Sequence, residues 1–439
     1  KDLGGRGATR RHEASAACLL ELPGPLPASE TAATLSGRHR RISTYRHDSR
    51  PLQLRGIPRS ADRRDGRRVG RVGGRALLAA LLALWPSCTV APRLRADLTK
   101  VMWVSRFEFR TAEDLDRIMA HCARAGFGAV MLQVRGNGTV AFASRREGWA
   151  RELGAVPPGF DPLAHAVRAA HAHRLKLHAW INMVPGWRGK DAPADPQQLF
   201  RRHPEWFLRN RAGGLVREHG PDGYAWLNPC LPQVRVYLAE LCEEIATRYA
   251  VDGLHLDHIR FPHGGGSSES PGDAVSWADF ARQAGSRRDD PAEFARWKAG
   301  AVTDIVRRVR RRLDRLPRRM ALTAAVNADL HAARGELAQD WPRWSRDRLV
   351  DAVMPMNYTP DDGLFVTRAR ECVRAAAGLP VVMGVGVYRH REAHLPASAT
   401  IGQMDAALRA GAVGVALYSY GSSFAAELAP QITAWNGAR

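Results

Sequence analysis

From Lys100 onward, short apolar segments alternate with longer amphipathic segments, and this alternation repeats eight times. Strand-like runs that alternate with helix-like runs are typical of βα units, whose strands lie parallel in one sheet. The strand-like runs are Val101–Glu108, Ala129–Arg135, Lys176–Val184, Gly253–Arg260, Ala321–Asn327, Asp351–Tyr358, Val381–Tyr388 and Gly414–Tyr420. Eight units predict an α/β fold, a (β/α)8 TIM barrel over residues 100–435.

The segments between the strands have helical periodicity and helix boundary signals, such as Asp161 before Pro162. The predicted helices are Ala112–Ala125, Pro162–His173, Gln233–Tyr249, Pro291–Arg315, Gly363–Ala377, Ile401–Ala410 and Ser422–Thr433. Long insertions are expected after strands 3 and 4, at 185–232 and 262–290. The alternative fold, an open doubly wound sheet, usually has a glycine-rich turn after its first strand, and Arg106–Thr111 contains no glycine.

The first hundred residues have a different character. Residues 1–66 are rich in Arg, Gly, Pro and Ser without periodicity, which predicts a disordered or spurious extension. Residues 67–99 combine arginines with the apolar run Ala76–Trp85, which is too short to span a bilayer and resembles a signal peptide. We therefore expect translation to start near Val69 and the protein to be exported to the periplasm or cell envelope; the alternative is a buried helix.

Pro86-Ser87-Cys88 follows this run and is similar to a lipoprotein cleavage box. It predicts membrane anchoring through a lipidated Cys88, although Trp85 and Pro86 depart from the usual box. The six cysteines are too scattered for a disulfide framework, and Cys122, Cys242 and Cys372 lie in helix-like segments, where small buried side chains are expected.

The net charge of +21 raises the question of a nucleic-acid partner. Residues 1–99 hold 19 basic and 8 acidic side chains, so about half of the excess lies outside the predicted barrel. The charge distribution therefore disfavours nucleic-acid binding. The basic run Arg307–Arg312 is interpreted as the solvated face of a long helix.

The segment Val251–Pro262 begins apolar and ends in a cluster of ionisable side chains. The C-terminal ends of barrel strands face the active-site mouth, so Asp257 is the first candidate for a catalytic carboxylate. Glu108, at the end of strand 1, and Asp361, after strand 6, are candidates for its partner, with a slight preference for Asp361. A structural ion pair of Asp257 with an arginine is the alternative interpretation.

Side chains alternate along strands, so residues two apart at the strand ends share the mouth of the barrel. The predicted substrate-binding residues are Arg106, Gln133, Arg135, His178, Trp180, Asn182, Trp206, His255, Arg260, Asn327, Asn357, Tyr358, Tyr388 and Tyr420. Aromatic rings stack on sugars, amides and arginines bind hydroxyls, and paired carboxylates cleave glycosidic bonds. No spacing indicates a metal site, so no metal and no cofactor are expected.

Several motifs resemble one family, the bacterial glycosyl-hydrolase-like family ten. They are Leu132–Gly136, His178–Asn182, His203–Trp206, Asp252–Pro262 and Met354–Tyr358, in this order between Lys100 and Trp435. The resemblance implies an exported TIM-barrel glycosidase whose relatives act on peptidoglycan glycan strands, and Asp257 matches the family's strand-four acid. Thr139 stands where many relatives have an acid.

The sequence thus predicts an exported glycoside hydrolase with a cell-wall polysaccharide or glycan strand as its partner. The alternative is a carbohydrate-binding pseudo-enzyme, suggested by Thr139 and by the uncertain second carboxylate. A metal-dependent deacetylase and a nucleic-acid-binding protein are weaker alternatives, because neither the ligand spacing nor the charge distribution favours them.

Overall fold

A closed eight-stranded parallel barrel forms the centre of the computed structural model, which describes residues 97–154, 159–218, 220, 223–264 and 269–437. The first strand pairs with both the second and the eighth, which closes the cylinder. The strands are β1 Lys100–Val104, β2 Ala129–Arg135, β3 Lys176–Asn182, β4 Gly253–Asp257, β5 Ala321–Asn327, β6 Ala352–Asn357, β7 Val382–Gly386 and β8 Gly414–Tyr418. The predicted (β/α)8 barrel is confirmed.

The strands form because their side chains are apolar on both faces, as parallel barrels require. In β1, Val101 and Trp103 belong to the core inside the barrel, whereas Met102 and Val104 pack against the surrounding helices. The inner core continues with Met131 and other alternate residues of the remaining strands. Alternate residues of each strand thus fill the inside of the barrel, and the side chains at the C-terminal ends of the strands border its mouth.

Helices surround the barrel in the predicted places, with additional short ones. They are α1 Ala112–Arg124, α2 Pro162–Ala172, α3 Leu199–Arg202, α4 Pro232–Arg248, α5 Ala274–Ala284, α6 Pro291–Leu313, α7 Leu330–Gly335, α8 Trp341–Arg346, α9 Asp362–Ala375, α10 Val387–Glu392, α11 Ala397–Arg409 and α12 Ala429–Gly437. Asp161 caps α2 as predicted, since its Oδ1 accepts a hydrogen bond from the Ala164 amide at 3.0 Å.

Most barrel strands end earlier than the sequence predicts, as in β1, which ends at Val104 rather than at Glu108. Two further differences concern the last part of the barrel. Strand β7 ends at Gly386, and Tyr388 lies in α10 rather than at the end of a strand. The segment predicted as the helix Ser422–Thr433 is helical, but it begins as a π-helical turn, Phe424–Leu428, and becomes an α-helix, α12, only from Ala429. Pro430 explains the second difference, because proline lacks an amide hydrogen and fits only the first turn of a helix.

The insertion after β3 builds a small antiparallel sheet, named here the insertion sheet. Its strands are Pro185–Arg188, Arg217–Glu218 and Tyr224–Trp226, with Tyr224–Trp226 in the centre. After β2, the short strands Thr139–Val140 and Gly148–Trp149 extend the barrel sheet. Both additions follow the C-terminal ends of barrel strands, so they border the mouth.

The N-terminal predictions, disorder over 1–66 and a signal-like segment with Cys88 over 67–99, lie almost wholly outside the described residues. Among the helices that the structure does describe, none has the length and apolarity needed to cross a membrane.

A buried ion pair ties the ends of β2 and β3 to the loops above them. A bulge between Gln133 and Arg135 turns Arg135 away from the mouth, where its Nη2 lies 2.8 Å from Glu147 Oε1. Arg135 also donates to the backbone carbonyls of Asn182 and Met183, and both ion-pair side chains are fully buried. Arg135 thus holds the C-terminal end of β3 in place.

Replacing Glu147 by Gln would leave the Arg135 charge buried without its counterion. We expect the free energy of unfolding to fall by about 3–5 kcal/mol, the usual cost of breaking a buried pair. The control is Glu392→Gln, which breaks an exposed pair with Arg389 and should cost at most about 1 kcal/mol. Urea unfolding measures both values, and equal losses in the two variants would contradict the structural role of the buried pair.

Candidate active site

Asp257 ends β4 at the mouth of the barrel and is held there by three contacts. Its Oδ1 accepts the amide hydrogen of His258 at 2.6 Å, and its Oδ2 accepts the indole hydrogen of Trp180 at 3.1 Å. The Nδ1 of His258 lies 3.3 Å from Oδ2. His258 has a φ of +47°, a left-handed conformation that non-glycine residues seldom adopt and that often marks functional sites.

These contacts favour the ionised form of Asp257. Burial alone would raise the pKa of its carboxyl group, because a charge is poorly solvated inside the barrel. The adjacent His258, through its charge and its hydrogen bonds, outweighs burial and lowers the pKa to about 2. Asp257 is therefore a carboxylate at neutral pH, suited to act as a nucleophile or to stabilise a developing positive charge.

Below Asp257, two neutral histidines fill the inner layer of the barrel. His255 Nε2 accepts the indole hydrogen of Trp103 at 2.9 Å, and its Nδ1 lies 2.9 Å from Thr323 Oγ1. Burial lowers the pKa of His255 to about 3 and that of His178 to about 4. A Cβ on Gly253 would lie 2.5 Å from the His178 ring, so only glycine leaves room for this imidazole.

One side of the mouth is formed by three tyrosines. Tyr358 stacks on Tyr418 with ring centres 5.2 Å apart, and Tyr388 meets both rings edge-on. Burial raises the pKa of Tyr358, and the neighbouring tyrosines and Asp257 add to the effect. The phenol therefore stays protonated near the carboxylate, and the rings offer apolar faces of the kind that pyranose rings stack against.

The insertion sheet forms the opposite side. The His258 ring lies 5.9 Å from that of Tyr224 and 5.8 Å from that of Trp226. Tyr224 accepts a hydrogen bond from Arg106 Nη2 at 3.3 Å, and Arg106 Nε pairs with Glu152 at 2.8 Å. Aromatic and charged side chains thus approach Asp257 from two directions.

Several predicted site residues come together in this mouth. One hydrogen-bonded group joins three of them, because the indole N–H of Trp180 lies within hydrogen-bond distance of both Asn182 Oδ1 and Asp257 Oδ2. Gln133 Oε1 accepts from the Arg106 amide at 3.1 Å. Tyr358 and Tyr388 line the mouth, whereas His178 and His255 lie deeper in the barrel.

Arg260 is buried beneath the insertion sheet. Its Nη1 lies 3.2 Å from Glu218 Oε1, and its guanidinium group lies 5.2 Å from the ring centre of Trp226. This placement makes Arg260 a support for the sheet that borders Asp257.

The two candidate partner carboxylates differ in their surroundings. Asp361 is exposed and caps α9, where its Oδ1 accepts the Leu364 amide hydrogen at 2.9 Å. Glu108 is half-buried, and burial raises the pKa of its carboxyl group although Arg391 opposes the shift. Glu108 thus has the electrostatic property expected of a general acid, whereas Asp361 has an evident structural task.

The remaining predicted residues lie away from this group, each bound within its own surroundings. Arg135 forms the buried ion pair described above, and Asn357 donates to the Phe365 carbonyl at 2.9 Å on the outside of the barrel. The others are Asn327, which accepts from the Asp329 amide, Tyr420, whose hydroxyl lies 2.9 Å from His121 Nδ1, and Trp206, which stacks on His203 at 3.9 Å.

Five mouth residues were absent from the predicted set: His258, Glu152, Glu218, Tyr224 and Tyr418. His258 belongs to the ionisable cluster that ends the segment Val251–Pro262, but the sequence assigned no role to it. The residues of the insertion sheet carry no such signal, because strands of two or three residues have no measurable periodicity. In the described part of the chain, no group of three His, Cys, Asp or Glu side chains is placed to hold a metal ion.

The closed barrel and its aromatic, carboxylate-bearing mouth define a TIM-barrel protein of the glycosidase type. The chain belongs to the family described as glycosyl hydrolase-like 10, whose model matches residues 97–388. It is 24% identical over 228 residues to glycosyl hydrolase YngK of Bacillus subtilis, covering 49% of this chain and 40% of that protein. It is also 24% identical over 267 residues to glycosyl hydrolase DigH of Escherichia coli K12, and the match covers 55% of this chain and 56% of that protein.

The chain therefore spans about half the length of the curated relatives it matches. Solved structures support the fold. The glycoside hydrolase domain of PgaB from Bordetella bronchiseptica matches with a TM-score of 0.54 and 13% identity, over 73% of this chain and 93% of that one. The catalytic domain of a Paenibacillus polymyxa β-amylase matches with a TM-score of 0.51 and 10% identity, over 76% of this chain and 98% of that one.

The buried histidines predict an acid-sensitive fold. In the unfolded chain, both histidines have a pKa of about 6.5 and bind protons below that pH. In the folded protein, the pKa is about 4 for His178 and about 3 for His255, so both side chains stay neutral over most of that range. Stability should therefore be complete above pH 6.5 and fall as the pH decreases, by about 2–3 kcal/mol for each imidazole between pH 7 and 4.5.

His178→Leu should reduce the loss of stability at low pH by the contribution of one imidazole. The substitution removes no hydrogen bond at Nδ1, because this atom has no partner among the described residues. His173→Leu, on the exposed end of α2, is the control and should leave the pH dependence unchanged. Urea unfolding at the two pH values measures the difference. If His178→Leu and the parent protein lost equal stability, the buried neutral imidazole would not explain the acid sensitivity.

Proposed function

We propose that this protein hydrolyses glycosidic bonds in a peptidoglycan-type cell-wall glycan or a related polysaccharide, and that it does so after export. Its family and the glycosidase folds it resembles support the reaction class. The observation that carries the proposal is the ionised Asp257 carboxylate beside aromatic faces at the C-terminal end of the barrel.

In this proposal, Asp257 faces the anomeric carbon of the sugar. Glycoside hydrolysis develops positive charge on the ring, and a nearby carboxylate stabilises it or forms a covalent bond to it. The His258 amide and the Trp180 indole fix the two oxygens of Asp257, so the group is oriented before substrate arrives. The contacts that keep Asp257 ionised also make it a poor proton donor.

The proton for the leaving oxygen then has to come from a second group. Glu108 is the better candidate than Asp361, because burial favours its protonated form whereas Asp361 is exposed and caps a helix. A pair of carboxyl groups whose pKa values are pushed apart is the usual arrangement in glycosidases. The assignment revises the slight preference for Asp361 that the sequence suggested.

The alternative is a carbohydrate-binding barrel without catalysis. Thr139 favours it, because the family resemblance of the sequence implies an acid at this position. Here it is a buried hydroxyl without a hydrogen-bond partner among the described residues. The two functions differ in one measurement, the release of reducing ends from a peptide-free glycan strand.

Three variants test the catalytic assignment on such a glycan. Asp257→Asn should lower kcat on the order of 10³-fold, as expected when a group that stabilises transition-state charge is lost. Glu108→Gln should lower it by roughly 10²–10⁴-fold through loss of the general acid. Asp361→Asn is the matched control and should retain activity, since asparagine caps helices as well as aspartate does.

Reducing-end release under saturating glycan measures all three values. Unchanged turnover in Asp257→Asn would contradict the central role of this carboxylate. Loss of activity in Asp361→Asn alone would transfer the acid role to that residue. Binding of the glycan without turnover in the parent protein would support the carbohydrate-binding alternative.

A further inference from the structure

The insertion sheet presents a row of three side chains beside the mouth. Arg188 lies opposite Tyr224 on one side of the central strand, and Glu218 lies opposite Tyr224 on the other. Residues directly opposite each other in a sheet share a face. Because the Tyr224 ring lies 5.9 Å from that of His258, which contacts Asp257, this face borders the candidate catalytic carboxylate.

Three basic side chains on this side of the mouth lie beside carboxylates. The pairs are Arg106 with Glu152 at 2.8 Å, Arg260 with Glu218 at 3.2 Å and His258 with Asp257 at 3.3 Å. Arg188 is exposed, and in the described part of the chain it makes neither a hydrogen bond nor an ion pair. Within the described residues, the guanidinium group of Arg188 therefore has no carboxylate beside it.

Arg188 is nevertheless held in place. Its guanidinium carbon lies 5.7 Å from the centre of the Tyr224 ring, within the range of a cation–π contact. Tyr224 is itself buried and fixed by its hydrogen bond from Arg106. An arginine that rests on a fixed ring loses less side-chain entropy on binding, and its planar donors suit the two oxygens of a carboxylate.

We propose that Arg188 and Tyr224 form a subsite for a saccharide residue that bears a carboxylate, next to the bond that Asp257 attacks. The inference rests on the proposed function, because it names the class of sugar that this site accepts. The ligand carboxylate would pair with the guanidinium group of Arg188, which has no carboxylate partner among the residues that the structure describes. Neutral glycans of the same length would bind through the aromatic faces alone.

The test compares two probes that differ only in charge. The first is an amino-sugar oligosaccharide that carries lactyl carboxylates, and the second is the same oligosaccharide with each carboxylate reduced to an alcohol. Binding is measured by calorimetry at low salt in the Asp257→Asn background, so that hydrolysis does not consume the probe. Screening by salt should reduce any preference for the charged probe.

We expect the charged probe to bind about tenfold more tightly than the reduced one, the size of one charge-assisted contact. Arg188→Gln should bring this ratio close to one without weakening the reduced probe. Lys190→Gln is the matched control: it removes the same charge from an exposed position two residues away and should keep the ratio. Arg188→Lys should retain only part of it, because lysine lacks the planar fork.

Two results would overturn the inference. One is the same preference for the charged probe with and without Arg188→Gln in the Asp257→Asn background, and the other is equal affinity of that background for the two probes. These outcomes are separable from the proposed function. A charge preference that depends on Arg188, found in a protein that releases no reducing ends, would leave the subsite standing and remove the hydrolase. Hydrolysis of both probes at equal rates and affinities would do the reverse.

Discussion

The contact between Asp257 and His258 is the interaction on which the site depends. A carboxylate with only 5% of its surface exposed would ordinarily take up a proton, because burial penalises charge. The left-handed backbone of His258 brings both its amide and its imidazole onto the carboxylate, and the indole of Trp180 completes the arrangement. The strained residue thus coincides with the most polar point of an otherwise apolar barrel.

The layers of the barrel explain why chemistry is confined to one end. Apolar residues and neutral histidines fill the interior up to His255, so a charge is solvated only above that level. The buried pair of Arg135 and Glu147 then fixes the ends of β2 and β3, and Arg106 and Arg260 anchor the surrounding loops through their own carboxylates. Positioned charges at the mouth therefore rest on ion pairs that have no catalytic task themselves.

Much of the fold could be predicted from the sequence, because its signals are local. The bounds of β2 and β5 agree with the prediction residue by residue, since both strands are mostly apolar and end at a polar residue. Asp257 could be placed at the mouth by the same alternation. Two residues could not be placed correctly. The bulge in β2 turns Arg135 away from the mouth, and the alternation of side chains in β6 directs Asn357 toward α9. The insertion sheet could not be foreseen at all, since its contacts join residues distant in sequence.

In the proposed complex, a saccharide lies with its reacting carbon against Asp257, between the tyrosines and the insertion sheet. A crystal structure of the Asp257→Asn protein with a peptide-free glycan oligosaccharide tests it most directly. We expect a sugar ring stacked on Tyr358 or Tyr418, with its anomeric carbon about 3–3.5 Å from the side chain at position 257. An oligosaccharide bound outside the C-terminal mouth, or a ring that leaves this side chain out of reach, would contradict it.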